Sequence, residues 1–168
     1  MSYINRKHIR LRDFDYSKEY GYFITICTKN REDFFWNSKE NIKQCRGLSV
    51  RDPSYEAYLN KYGIIVSQCW NNIAHVYNNI TLDEFVVMPN HIHGIIIIEK
   101  KKIPDTIGYV VSQFKSAVTK KIRKISANKD LEIWQRNYYE HVIREKEIDR
   151  IRWYIINNPI NINTDKYN

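Results

Sequence analysis

His91 and His93 stand two residues apart in Met88–Ile98, MPNHIHGIIII. In an extended strand successive side chains alternate between faces, so both imidazoles project one way and Ile92 projects the other. Two neutral imidazoles on one face can share a metal ion, while Ile92 anchors the strand in a core. The run Ile95–Ile98 marks a strand covered on both sides, and a central strand holds ligands rigidly. By itself an HxH pair reads equally well as two hydrogen-bonded histidines, so the pattern needs a partner.

The segment Arg150–Pro159, RIRWYIINNP, offers one. Tyr154 and Asn158 are four apart and share one helical face, so an amide oxygen from Asn158 could complete a metal site at which Tyr154 also points. A phenol, with a pKa of about 10, is a poor nucleophile unless a metal or a neighbouring base favours the phenolate. The same residues also read as a packed tyrosine, one of 13, followed by a plain helix stop. Tyr138 and Tyr139, in WQRNYYEHVIR, are competing nucleophiles. They fall on an expected strand, where neighbours face opposite ways, so at most one of them reaches a metal at the histidines. In the same segment Glu140 and His141 are supporting candidates, His141 either as a base or phosphate contact or as a structural histidine. A zinc hydrolase would need a carboxylate as third ligand, and none stands near either histidine in the sequence.

Several elements must position these groups. Tyr22–Thr28 is rich in β-branched and aromatic residues and reads as a strand. Between about Tyr62 and Tyr77 the residues Ile64, Ile65, Cys69, Ile73 and Val76 recur at helical spacing. Ile80–Met88 and His91–Glu99 read as strands of a hairpin broken at Pro89-Asn90. A second helix spans Thr106 to about Ile125, with a stripe of Val110, Val111, Phe114, Ala117, Val118 and Ile122. Tyr138–Arg144 reads as a last strand. Glu145 to about Asn157 reads as a last helix, ended by Pro159. The stretch from Lys29 to Ser54 reads as largely loop. The order strand, helix, strand, strand, helix, strand, helix predicts an α+β, ferredoxin-like (split βαβ) antiparallel sheet with helices on one side. A single domain over residues 1–168 is expected, with a basic arm at residues 1–18 and a short tail at 160–168.

Composition narrows the partner. The chain has 168 residues, a formal net charge of +8 and 14% aromatic residues, which together favour a polyanion whose unstacked bases can lie on rings. The second helix carries Lys115, Lys120, Lys121, Arg123 and Lys124 with no acidic residue among them, a face suited to phosphates. Gln113 and Ser116 share that helix, and Arg10 and Arg12 in the arm are further candidates for contact with nucleic acid. Three widely spaced cysteines form no CxxC pair, which argues against a disulfide framework and for a reducing compartment. With no apolar leader and no run of about 20 apolar residues, the expected location is the cytoplasm, with no membrane partner.

Taken in order, MPNHIHGIIII, WQRNYYEHVIR and RIRWYIINNP resemble the REP-associated tyrosine transposases. These are relatives of the single-tyrosine insertion-sequence transposases within the HUH (His-hydrophobic-His) endonucleases. The opening IRLRDFDYSKEYGYFITICTKNRE is similar to that family's first strand region, and the resemblance spans roughly residues 8–160. It implies Mg²⁺ or Mn²⁺ held by His91, His93 and Asn158, with Tyr154 as the nucleophile. It also implies cleavage and rejoining of single-stranded DNA, often hairpin-bearing, through a 5′-phosphotyrosine link. A homodimer exchanging the tyrosine helix is compatible with the family. Asparagine at position 158, where the insertion-sequence branch has glutamine, sides the chain with the REP-associated branch. The rival reading is a non-catalytic nucleic-acid-binding module on the same fold.

Overall fold

Alternation in YGYFITIC creates the two faces of the sheet. The computed structural model describes residues 20–37, 49–52, 54–99 and 106–162, and there this segment is strand β1, Tyr20–Cys27. Arg10 and Arg12, with the rest of the basic arm, lie outside the described residues. Tyr22, Ile24 and Ile26 are buried on one face of β1, while Phe23, Thr25 and Cys27 point to the other. Strand β2 is Ile80–Val87, β3 is His91–Ile98 and β4 is Tyr139–Ile143. Among the described residues they form one four-stranded sheet in the order β2-β3-β1-β4, each neighbour antiparallel. This is the expected split βαβ arrangement. β3 and β1 are the central pair, so the histidine strand has hydrogen-bonded neighbours on both sides.

Helix α1, Lys61–Asn71, begins at Asn60, whose side chain accepts from the backbone N–H groups of Tyr62 and Gly63. A one-turn helix, Ile73–Val76, follows it, so the single helix expected to Tyr77 is interrupted at Asn72. The buried face of α1 is Gly63, Val66, Cys69 and Trp70, continued by Ile73, whereas Ile64 and Val76 are exposed. Trp70 decides that rotation. Its indole stacks on Phe85 at 4.4 Å, meets Phe114 edge-on, and lies over Gly94 in β3.

A Cβ at Gly94 would stand 2.3 Å from Trp70 Cζ2, which leaves no room for any side chain beside His93. Gly94→Ala is therefore expected to push the indole aside and cost about 1–3 kcal/mol, a drop of several degrees in thermal midpoint. An unchanged midpoint would show that Trp70 does not need this close approach.

Helix α2, Ile107–Ser126, is capped by Thr106 and ends at Ala127 in the left-handed region, φ 52°. Its buried residues are Ile107, Val110, Val111, Phe114, Val118 and Ile122. Ala117, about 100° round the helix from Val118, is exposed rather than part of that stripe. Helices α1 and α2 pack together on the face of Ile92 and Gly94. Helix α3, Ile148–Asn157, follows a 3₁₀ turn at Glu145–Glu147 and packs on β2 from the opposite face. Helices thus cover both faces, not one as expected from the sequence.

The stretch read as loop contributes core. Phe35 and Trp36 are buried, and the Trp36 indole donates to the Val87 carbonyl at 2.8 Å. Tyr55 adds a hydroxyl that donates to Val87 O at 2.6 Å and accepts from Val87 N at 2.9 Å.

Candidate active site

The PNH turn brings β3 into the sheet with its first residues already committed. Met88 N donates to His91 O at 2.8 Å, closing the hairpin, and Thr28 N and Oγ1 both donate to Asn90 O. His91 and His93 are fully buried on the sheet face that α3 covers. Each has its inner ring nitrogen occupied. His91 Nδ1 lies 2.6 Å from Asn90 Oδ1, which fixes the ring with Nε2 toward His93. His93 Nδ1 lies 2.8 Å from Thr25 Oγ1, its pairing partner on β1. Phe23 stacks on the His93 ring with centroids 5.4 Å apart.

The two Nε2 atoms converge to 3.1 Å, and the Tyr154 hydroxyl reaches His93 Nε2 at 3.2 Å. Both contacts lie within one chain. One turn on, Asn158 is 1% exposed, and neither of its side-chain amide atoms has a hydrogen-bond partner. A buried amide left unpaired is costly and calls for a partner. These residues fit a divalent cation. Two imidazole nitrogens 3.1 Å apart and a buried unpaired amide form a nitrogen-and-oxygen donor set of the kind that divalent metals take. Among the described residues there is no group of three His, Cys, Asp or Glu that could hold a metal.

The tyrosine helix is fixed to the sheet by Arg152. Its guanidinium forks onto Asp83, with Nη2–Oδ2 at 2.6 Å and Nε at 3.1 Å from each oxygen. The register of β2 against β3 shifts between Leu82 and Phe85, and this irregularity turns Asp83 toward α3. Burial pushes the Asp83 carboxyl up, but the Arg152 hydrogen bonds, the Glu84 N–H and the Arg152 charge outweigh it and hold it below its ordinary value. A carboxyl depressed on folding stabilises above its unfolded pKa, about 4, and loses that contribution as pH falls through the lower folded value. Asp83→Asn is expected to lower the thermal midpoint by about 2–4 °C at neutral pH, roughly 1 kcal/mol for a part-exposed pair. The gap should close as the pH is taken below about 4. A gap independent of pH would mean that the ion pair is not what the substitution removes.

Other expected residues divide. Glu140 pairs with Ile24, on the face away from the histidines, and one of its oxygens accepts from the Tyr138 hydroxyl at 2.7 Å. His141 lies on the histidine face opposite Phe23, and its Nε2 meets Glu147 Oε2 at 3.0 Å, tying β4 to the turn before α3. Lys115 donates to the carbonyls of Gln135 and Arg136 at 2.6 and 3.2 Å, and burial lowers its pKa. Lys121 turns toward Cys69 on α1. Lys120, Arg123 and Lys124 line an open groove of about 810 Å³, together with Lys115, Lys129 and Trp134. Gln113 and Ser116 are exposed, and Ser116 lines the groove. Sequence reasoning missed Thr25, Asn90 and the Asp83–Arg152 clamp. It also missed a cavity of about 250 Å³ beside the histidines, lined by Thr25, Cys27, Arg31, Gln135, Asn137, Tyr138 and Tyr139. Asn90 alone left a local signal, an amide directly preceding His91.

Comparison with known proteins gives the family and the fold. Residues 16–158 match the family described as IS200-like transposases. A Haemophilus influenzae protein described only as uncharacterized is 42% identical over 176 residues, covering 93% of this chain and 89% of its own. A solved structure of a REP-associated tyrosine transposase bound to a REP hairpin superimposes with a TM-score of 0.54 at 18% identity. The match covers 94% of this chain and 76% of that one, a likeness of fold. No helix among the described residues is long and apolar enough to cross a membrane.

Proposed function

The chain belongs to the IS200-like transposase family, and on that footing we propose that it cuts and rejoins single-stranded, hairpin-bearing DNA with Tyr154 as nucleophile. The observation that carries this reading is the convergence of His91 Nε2, His93 Nε2 and the Tyr154 hydroxyl, 3.1 and 3.2 Å apart, with the unpaired Asn158 amide one helical turn beyond Tyr154. Tyr154 Oη attacks the phosphorus, the P–O3′ bond breaks, and the phenolic proton ends on the released 3′-hydroxyl. The product is a 5′-phosphotyrosine, which the same or another 3′-hydroxyl can attack to restore a phosphodiester. One phosphate ester is exchanged for another at each step, so no nucleotide triphosphate is consumed. His91, His93 and the Asn158 amide would hold a divalent cation, Mn²⁺ or Mg²⁺, which when bound polarises the scissile phosphate. Asn90 and Thr25 keep the two imidazoles oriented with Nε2 outward. Phe23 and the Asp83–Arg152 clamp hold the tyrosine helix over them.

The basic groove on α2 supplies non-specific grip through phosphate contacts. Lys120→Ala and Lys124→Ala are each expected to weaken hairpin binding similarly across sequences and to reduce the salt slope by about 1. A slope unchanged in the double variant would remove the groove from the interface. The reading as a whole is tested by incubating the protein with labelled hairpin DNA and Mn²⁺ and running a denaturing gel. A labelled band migrating with the protein supports strand transfer. Tight binding without such a band on any palindromic substrate supports a binding module that does not cut.

A further inference from the structure

The 250 Å³ cavity next to the histidines has a composition that phosphate chemistry alone does not require. We infer that it receives one unstacked nucleobase flanking the scissile phosphate, and that Gln135, Asn137 and Arg31 read that base and so choose where the strand is cut. The inference rests on the strand-cleavage reading above.

Position is the first argument. Thr25 lines the cavity and also touches His93 Nδ1 at 2.8 Å, while Cys27 lines it and pairs with His91 across the sheet. Tyr139 pairs with Thr25 on the other side of β1, so the floor of the cavity continues the histidine face. The cavity therefore shares Thr25 with the histidine site at which Tyr154 also stands.

Size and chemistry agree. Pockets for drug-sized ligands span roughly 300–1,000 Å³, so 250 Å³ suits a single ring system and not a length of strand. Two carboxamides present a donor and an acceptor each, the combination that pairs with base edges in two-point contacts. Tyr139, 44% exposed, offers a ring on which a base can stack. The groove on α2 is mainly cationic, whereas this cavity is mainly amide and phenol, with Arg31 its one guanidinium.

The backbone supplies the third argument. Asn30 and Arg31 both adopt left-handed φ, 55° and 57°, an uncommon and costly choice for two successive residues other than glycine. The turn is held by Arg31 N donating to Thr28 O at 3.2 Å, and Thr28 Oγ1 lies 2.8 Å from Glu32 O, so its one proton is shared between that carbonyl and Asn90 O. Thr28 is itself bonded to the carbonyl of Asn90, the residue that orients His91. The strained turn is thus tied to the histidine motif and keeps Arg31 at the cavity edge.

The test uses a library of hairpin DNAs whose adjoining single strand is randomised, incubated with the protein and Mn²⁺. Covalent adducts are then isolated and sequenced. Wild type is expected to enrich one base about 10-fold or more at a position directly beside the cut. In Asn137→Ala and Gln135→Ala that enrichment should fall below about 2-fold, with the preferences elsewhere unchanged and adducts still formed. No preference beside the cut in wild type, or the same preference in Asn137→Ala, Gln135→Ala and Arg31→Ala, overturns the inference while leaving strand cleavage standing. The same library bound to Tyr154→Phe reads the cavity without chemistry. A single-position preference lost on adding Asn137→Ala supports the pocket even if wild type forms no adduct, and no such preference refutes it.

Discussion

Tyr154→Phe should form no covalent DNA adduct, a fall of at least about 10⁴-fold in strand transfer, while folding and binding stay intact. The substitution removes one oxygen and nothing else of size. The ring keeps its edge-on contact with Phe23, 6.1 Å between centroids, and its place 5.2 Å from the His93 ring. The lost hydrogen bond to His93 Nε2 costs at most about 1.5 kcal/mol. Hairpin affinity should lie within about 2-fold of wild type, because a neutral hydroxyl contributes no counterion release. Loss of adduct with retained binding separates a nucleophile from a contact. Loss of both together would instead show that the tyrosine serves to shape the DNA surface.

His91→Ala and His93→Ala carry the second large effect. Removing a residue that only orients a metal ligand typically costs 10–100-fold in affinity. Removing the ligand itself should therefore cost at least about 10²-fold in Mn²⁺ affinity, and adduct formation should fall with it. Thermal unfolding with and without Mn²⁺ separates this from simple damage to the core, since both histidines are fully buried. At 100 times its dissociation constant the ion should stabilise wild type by about 2.7 kcal/mol. That shift should vanish in either alanine variant and in Asn158→Ala. Thr25→Val, which leaves His93 Nδ1 without its hydroxyl partner, should weaken the shift without abolishing it. An Mn²⁺ shift of full size in His91→Ala and His93→Ala would place the ion elsewhere.

How much of this was legible in the sequence follows from the range of each interaction. The alternation of His91 and His93 and the one-turn spacing of Tyr154 and Asn158 are local, set by strand and helix periods, and the fold keeps both. The order of elements was likewise enough for the sheet. What closes the site is non-local. Thr25 is 68 residues from His93, and Asp83 is 69 from Arg152, and neither spacing leaves a pattern in the chain. The rotation of α1 was misread because Ile64 and Val76 suggested a face that the bulk of Trp70 over Gly94 overrides. The basic stripe of α2 looked uniform as a sequence, but Lys115 is spent on two backbone carbonyls and Lys121 faces α1. The one-sided packing failed for a related reason, since only the register shift in β2 reveals that Asp83 can hold α3 on the histidine face.

The central claim is that one tyrosine, held over the histidine pair, becomes covalently joined to DNA. Mass spectrometry of the proteolysed adduct tests it most directly, because the cross-linked peptide names the residue. The account predicts a nucleotide attached through its 5′-phosphate to Tyr154. Attachment at Tyr138 or Tyr139, or no adduct on any hairpin substrate with Mn²⁺ or Mg²⁺, would contradict it.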